Sequence, residues 1–466
     1  MKEIESQRPK TKDRRRIVLA TFGSLGDLHP ILALAIELRR RGHEIAVATM
    51  EIYREKIEAM NFEFSPMRPH IDFENAREMA RDLMDAKKGP EKFLREIVMP
   101  NLRGMYDDLA EAVEGADLFI TGEVVYVAAS VAEKTGKKWI TSGLSPVTCF
   151  SAHDPGVFPT AQWLRHFRFL GAGFHKALFS VLRLTIKHWF QPIKNFRREL
   201  GLSENHDPIF DDKYSPLLHL AMFSKVLAKP QPDWYQPTLQ TGFCFYDGRE
   251  ADDAKLSFRS AKAETQNDLG KIPEGLREFL DAGEPPIVFT LGSAAVMDAR
   301  DFFEESAKAA KILNRRAVLL YGIFNEPPQT VESGEWRVES GKNIKSKIAA
   351  FDYAPYSQVF PRAACIVHQG GVGTTAQVLR AGVPHLIMPY SHDQPDNAAR
   401  CKRLGVARII SRDNYTAENA AGELRKLLKD VSYNSNALDA KRIVDSEHGT
   451  QTACDAIEEI MNSDKK

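Results

Sequence analysis

Two doubly wound α/β domains facing a shared cleft are the fold class this 466-residue sequence predicts, on three observations. The chain is longer than one ordinary hydrophobic core accommodates. It contains two separate openings of strand, glycine turn, helix and strand. Each opening carries Gly-Ser at the carboxyl end of its first strand, which is where open parallel sheets bind ligands.

The first opening starts with the strand-length apolar run Ile17-Val18-Leu19-Ala20, followed by Thr21-Phe22-Gly23-Ser24. Leu32, Ala35, Ile36 and Leu38 then recur at helical spacing from Pro30, and Arg40-Arg41-Gly42-His43 ends that helix with cations and a glycine. Glu44 to Thr49 supplies the next strand, and a strand joined to a strand through a crossover helix implies a parallel pair. The second opening repeats the order with Ile287 to Thr290, Leu291-Gly292-Ser293, a helix over Asp301 to Leu313 and a strand over Ala317 to Tyr321. A charged, polar stretch, Ala251 to Gly283, lies between the halves and reads as a linker. The expected division is therefore 1–245, 246–445 and a terminal helical stretch, 446–466.

Lys plus Arg and Asp plus Glu are both 63, so the chain lacks the basic field that neutralises nucleic-acid phosphates, and no nucleic-acid partner is expected. The five cysteines are scattered without a C-x-x-C pair and read as reduced core thiols. The first sixteen residues are polar, and the nearest approach to a membrane span, Phe169 to Ile186, is interrupted by His175, Lys176 and Arg183. The expectation is a cytoplasmic chain that does not cross a membrane.

Residues 351–407 carry the densest chemistry. Ala364 to Val367 reads as a buried strand, and His368-Gln369-Gly370-Gly371-Val372-Gly373-Thr374-Thr375 as a glycine turn opening a helix over Ala376 to Arg380. A diphosphate needs bare N–H groups at a helix N-terminus, small residues that let the backbone approach, and hydroxyl or imidazole donors. His368, Thr374 and Thr375 are candidate contacts, and Gly371 and Gly373 allow the approach. The same turn also fits a dinucleotide fingerprint, Gly371-x-Gly373-x-x-Ala376, with Asp393 about 20 residues further on. Hydride transfer is the weaker reading, because Asp393 falls in the polar loop Tyr390 to Asn397 after Pro389 and not directly after a second strand.

From His368 through Gly382-Val383-Pro384 to Asp393-Gln394 and Asn397-Ala398, the chain resembles the donor-binding signature of glycosyltransferase family 1. That family includes plant and sterol glucosyltransferases, glycopeptide and macrolide glycosyltransferases and bacterial rhamnosyltransferases. Gly-Thr-Thr-Ala-Gln at 373–377 and Asp-Gln-Pro-Asp-Asn-Ala at 393–398 look bacterial. The resemblance is specific at residues 23–43 and 351–407. It implies the GT-B fold, with an N-terminal acceptor-binding domain, a C-terminal domain for a UDP- or dTDP-sugar, no cofactor and no metal ion. A C-terminal helix packs back on the first domain in such enzymes.

By the same resemblance Asp393 and Gln394 hold the donor sugar's hydroxyls. Tyr353 stands where plant members carry a Trp that stacks on uracil, and a tyrosine ring suits a pyrimidine face equally. Gln377 replaces a Glu that bonds the ribose in many members, and Gln369 replaces a second histidine common in bacterial relatives.

Inverting transfer needs a base to take the acceptor hydroxyl's proton while the diphosphate leaves on the opposite side of the sugar. The family places it three residues before the proline of the first loop, which here is Asp27. A reference pKa of about 3.9 leaves Asp27 ionised at neutral pH, whereas His29, at about 6.5, is the second candidate. Capping of a helix that starts at Pro30 is the structural alternative for Asp27. Ser24 and Ser293, on the twin loops, are candidate donors to acceptor or phosphate, and Glu123 is a candidate acceptor-pocket residue. The sequence holds no D-x-D pair of the kind that carries a metal ion in other sugar transferases.

Phe158 to Arg198 contains eight cations and no carboxylate, interleaved with aromatic residues such as Trp163, Phe169, Phe174 and Trp189. Two readings stand side by side. One is a lid over a small lipophilic acceptor (a lipid, sterol or polyphenol) with peripheral contact to the anionic inner face of the membrane. The other is a core-packed helical pair with a solvated basic face. Competing functions are a GT-B sugar-nucleotide epimerase and a non-catalytic donor-binding partner subunit.

Overall fold

The apolar runs that open each half become central strands of two all-parallel sheets in the computed structural model, which describes residues 14–70, 73–204, 207–246, 272–323, 325–331 and 347–463. The first sheet comprises β1 (Arg16–Ala20), β2 (Glu44–Thr49), β3 (Glu63–Pro66), β4 (Leu118–Gly122), β5 (Lys138–Gly143), β6 (His219–Ala221) and β7 (Thr238–Gln240). Its order is β3-β2-β1-β4-β5-β6-β7. The second comprises β8 (Ile287–Thr290), β9 (Ala317–Leu320), β10 (Ile348–Phe351), β11 (Cys365–His368), β12 (His385–Ile387) and β13 (Ala407–Ile409), in the order β10-β9-β8-β11-β12-β13. Ile17 pairs with Ile45 on one side and Leu118 on the other; Ile287 likewise lies between Ala317 and Cys365. Helices cover both faces of each sheet, which is why the central strands read as unbroken apolar runs. In each sheet the strand order reverses beside the first strand, between β1 and β4 and between β8 and β11, and that reversal opens a crevice at the carboxyl ends.

Two helices start earlier than their apolar periodicity suggests. The first spans Leu25–Arg40, because Ser24 and Asp27 form a capping box at its start. Pro30 therefore lies inside the helix, forgoing one backbone bond, and does not mark its beginning. The second spans Val372–Ala381 with Gly371 at its N-cap, so Thr374 and Thr375 lie in the first turn of the helix.

The expected linker is shorter than its polarity implied. Residues 251–271 of it lie outside the described residues, but Glu274–Asp281 is a helix whose Leu276 and Phe279 are buried in the second domain's core. The last helix, Gly449–Asn462, places Ala453, Cys454, Ile457 and Met461 in the first domain's core. Arg41, just past the first helix, holds it through Asp455 at 2.6 Å and Glu458 at 2.8 Å.

Residues 159–199 form consecutive helical segments, Pro159–Leu170, Gly171–Ile186, Lys187–Phe190 and Gln191–Glu199. Contrary to the expectation of no membrane-length stretch, this run is long and apolar enough to cross a bilayer by those two measures, with a mean hydropathy of 1.2 in its most apolar window and only 11% of that window buried. It is not one straight rod, since the backbone departs from helical geometry at Ala161 and at Gly171 (φ +77°). The eight cations are also less free than the sequence suggests. Arg168, Arg183, Arg197 and Arg198 pair with Asp154, Asp211, Glu133 and Glu204, all outside the stretch.

Candidate active site

The loop after β1 is built around Asp27. Ser24 donates to its Oδ2 from both the backbone N (2.8 Å) and Oγ (3.1 Å), while Ser24 Oγ accepts from Gly26 N at 3.1 Å. Gly23 has φ +131°, and a Cβ there would lie 2.5 Å from Asp27 Oδ2, so only glycine lets the carboxylate fold over the turn. Burial pushes the Asp27 pKa up to about 6, against the pull of the Ser24 bonds and with some help from the charge of Glu123. Such a group is ionised at neutral pH and is a stronger base than an exposed aspartate.

His29 faces elsewhere. Its ring packs 4.9 Å from that of Tyr246, and burial, together with the charge of Lys56, lowers its pKa to about 3. The reference value that made it a candidate base assumes water around the ring; here the imidazole stays neutral and weakly basic.

Glu123, just past β4, forms an ion pair with Lys213 at 2.9 Å, and Lys213 Nζ also donates to Thr148 O at 2.5 Å. The ammonium lies 4.8 Å from the ring centre of Phe150. That ring contacts Phe210 at 4.6 Å, Phe158 at 6.1 Å and Phe179 at 6.4 Å. A charged pair beside an aromatic wall thus borders the Asp27 loop.

On the opposite domain, the turn after β11 opens the helix Val372–Ala381. Its strict glycine is Gly370, with φ +92° and no room for a Cβ, which would meet Ile387 Cγ2 at 2.8 Å and Gln394 O at 3.2 Å. The Gln369 side chain lies over Gly371 and Gly292, joining the β11 turn to the β8 turn where Ser293 sits half-buried. Gln369 Oε1 and Thr375 Oγ1 are buried with no hydrogen-bond partner. Both atoms lie at the same turn and can take a polar partner there.

The His368 ring is spent on protein partners, the turn's own backbone among them. Nδ1 accepts from Gly370 N at 3.0 Å and Nε2 lies 3.0 Å from His385 Nδ1, so the side chain is fully buried between β11 and β12. Thr374 is buried as well, Gln377 is half-buried one turn further along, and Tyr353, beyond β10, is 47% exposed.

Asp393 Oδ2 accepts from Val372 N at 3.1 Å and from Asn397 Nδ2 at 2.7 Å, which sets its carboxylate at the N-terminus of the glycine-turn helix. Burial raises its pKa to about 7, and the charge of Asp27 adds to the effect. The neighbouring Gln394 is buried; its Oε1 accepts from Tyr390 N at 2.9 Å, and Nε2 lies 3.8 Å from Met84 Sδ of the other domain. The two loops meet directly, since a Cβ on Gly373 would sit 3.9 Å from Gly26 Cα.

Similar folds and sequences are known. The glycotransferase of kitacinnamycin superposes with a TM-score of 0.63 over 96% of this chain and 99% of its own, at 19% identity. The spinosyn forosaminyltransferase SpnP does so with 0.65 over 97% and 100%, at 16% identity. Residues 17–134 match the glycosyltransferase family 28 N-terminal domain, and residues 334–456 match the erythromycin biosynthesis protein CIII-like C-terminal domain. O-mycaminosyltylonolide 6-deoxyallosyltransferase of Streptomyces fradiae is 31% identical across 95% of this chain and 97% of its own length.

The chain belongs to the GT-B glycosyltransferases.

Sterol 3-beta-glucosyltransferase of Cryptococcus neoformans is 26% identical to this glycosyltransferase over 95% of the chain, which spans 27% of that longer protein. No group of three or more His, Cys, Asp or Glu is placed to hold a metal ion among the described residues. Several residues of the glycosyltransferase's cleft carried no signal in the sequence. Lys213 sits in the polar run Asp211-Asp212-Lys213 and gave no hint of pairing with Glu123. Asn397 was visible only as part of a motif, not as the group that holds Asp393.

Proposed function

We propose that this glycosyltransferase moves a hexosyl group, with inversion, from a UDP- or dTDP-sugar to a hydroxyl of a small lipophilic acceptor, without a metal ion. The observation that carries the reading is the approach of the Asp27 loop to the glycine-turn helix, with Gly26 against Gly373 and the charge of Asp27 felt at Asp393.

The diphosphate belongs at the opening of Val372–Ala381. Beyond the Val372 amide that Asp393 holds, the first-turn amides of Gly373 and Thr374 and the helix dipole favour an anion there, and the Thr375 hydroxyl gains a partner. Rotating the Gln369 amide exchanges Oε1 for Nε2 and offers a donor to a phosphate oxygen. Asp393 and Gln394 take sugar hydroxyls, with Gln394 Nε2 giving up its weak contact to Met84. Tyr353 offers an exposed ring to the base.

The acceptor oxygen attacks the anomeric carbon as its proton passes to Asp27, whose Oδ2 is steadied by Ser24. The bond to the phosphate oxygen breaks, and the negative charge that develops there rests on the helix amides. A single displacement of this kind inverts the anomeric centre. The wall of Phe150, Phe158, Phe179 and Phe210 beside Glu123 and Lys213 suits a mostly apolar acceptor with a few hydroxyls. Relatives named for a macrolide and for sterols support that class.

The test is incubation with UDP- and dTDP-sugars and a panel of hydrophobic alcohols, with and without EDTA, followed by product mass and anomeric NMR. Inverted product formed equally in EDTA is expected. Retained configuration, or loss of turnover in EDTA, overturns the mechanism; epimerised donor without any acceptor product assigns the protein to the epimerases.

A further inference from the structure

We propose that the outer side of residues 163–187 docks this enzyme onto an anionic bilayer surface. The proposal rests on the lipophilic-acceptor reading only in that a membrane-dissolved acceptor gives the docking a purpose. Along the helix Gly171–Ile186, buried His175 and Phe179 define the inner face. At 100° per residue, Phe174, Val181 and Leu184 emerge on one outer flank, and Lys176, Arg183 and Lys187 on the other. The preceding segment adds exposed Trp163, Phe167, Phe169 and Leu170, with Phe169 79% exposed. Ring contacts of Trp163 with Phe167 (5.6 Å) and of Phe167 with Phe169 and Phe174 (both 6.4 Å) fuse the two segments into one apolar patch.

A contiguous exposed apolar patch rimmed by charged residues marks an interaction site. Its chemistry selects the partner. Rings and aliphatic side chains enter the boundary between headgroups and acyl chains, while the flanking cations meet anionic headgroups. Arg165, Lys176 and Lys187 have no carboxylate partner among the described residues and are exposed. A second copy of the chain placed symmetrically on the patch would set these cations against one another, whereas an anionic surface neutralises them. The stretch lies on the bilayer and does not thread it: Phe179 packs on Phe150 and Phe158, and Leu182 and Ile186 pack on the first domain's core.

Flotation of the full-length protein with phosphatidylcholine vesicles, alone or containing phosphatidylglycerol, tests the proposal. Binding is expected only with phosphatidylglycerol present, weakening steeply with added salt. Phe169→Ser with Leu184→Ser should abolish flotation, and Lys176→Gln or Lys187→Gln should each weaken it roughly fivefold. All these variants should keep lipid-free nucleotide release in the presence of a soluble acceptor. Absence of flotation at low salt, or flotation untouched by the double substitution, overturns the proposal. So does a lipid-free dimer that the same substitutions dissolve, which would show the patch to be a contact between copies. A wrong transferase reading appears separately, as no nucleotide release without lipid.

Discussion

Asp154 of the N-terminal domain and Arg400 of the C-terminal domain form an ion pair between the two halves, with Arg400 only 1% exposed. Arg400 also holds Asp396 on its own helix at 2.6 Å, and Asp396 Oδ1 accepts from Val157 N of the opposite domain at 3.0 Å. The helix that carries these groups, Gln394–Arg403, begins next to Asp393. One buried network therefore ties the loop at the base of the aromatic stretch to the element proposed to hold the donor sugar.

Replacing Arg400 by Met is expected to cost about 3–5 kcal/mol, because Asp396 is left as a fully buried charge without its cation, while Asp154 keeps Arg168. Asp154→Asn should cost less, since Arg400 keeps Asp396. Thermal melting checks the order, and equal losses would show that the two carboxylates do not share the arginine as described.

Asp27→Asn is expected to lower kcat about 10²–10⁴-fold while donor affinity by calorimetry stays unchanged. In the intact enzyme, kcat/KM should fall as the pH drops through about 6, where Asp27 takes up a proton and can no longer accept one. Ser24 lowers that pKa through its hydrogen bonds, so Ser24→Ala raises it, and the acidic limb of the profile should move to higher pH. A limb that stays in place separates the limb from Asp27.

His29→Phe should retain turnover, because a ring with a pKa of about 3 packed on Tyr246 acts by filling space. A stably folded His29→Phe protein that no longer turns over, beside an active Asp27→Asn protein, would transfer the base role to His29.

Thr375→Val removes a buried hydroxyl that has no partner, so the melting temperature without ligand should hold or rise. Affinity for UDP or dTDP should drop at least about tenfold, since a hydrogen bond to a charged oxygen contributes roughly 1.5–3 kcal/mol. Unchanged affinity would place the phosphates elsewhere.

The strands were legible because each central one is an apolar run bounded by a glycine turn; β8 is observed at the residues its apolarity indicated, Ile287 to Thr290. Helix starts were less so. The first began five residues and the second four residues before the expected position, since the cap at Ser24 and the small residues Gly371 to Thr375 start helices without apolar periodicity. Asp27 and Asp393 were found through resemblance, and their mutual approach needs both domains in place. The direction of the His368 ring depends on β11 lying beside β12, which no local pattern encodes. The pairing of Lys213 with Glu123, 90 residues apart, and the neutralisation of four basic-stretch arginines by outside carboxylates are products of tertiary contact.

Gly373 brings no reactive group to the cleft, yet its missing side chain leaves the facing Gly26 backbone room to approach. A methyl group at residue 373 would just touch the facing backbone, and any longer side chain would act as a wedge. The closeness of the two halves of the enzyme thus depends in part on a position whose contribution is what it lacks.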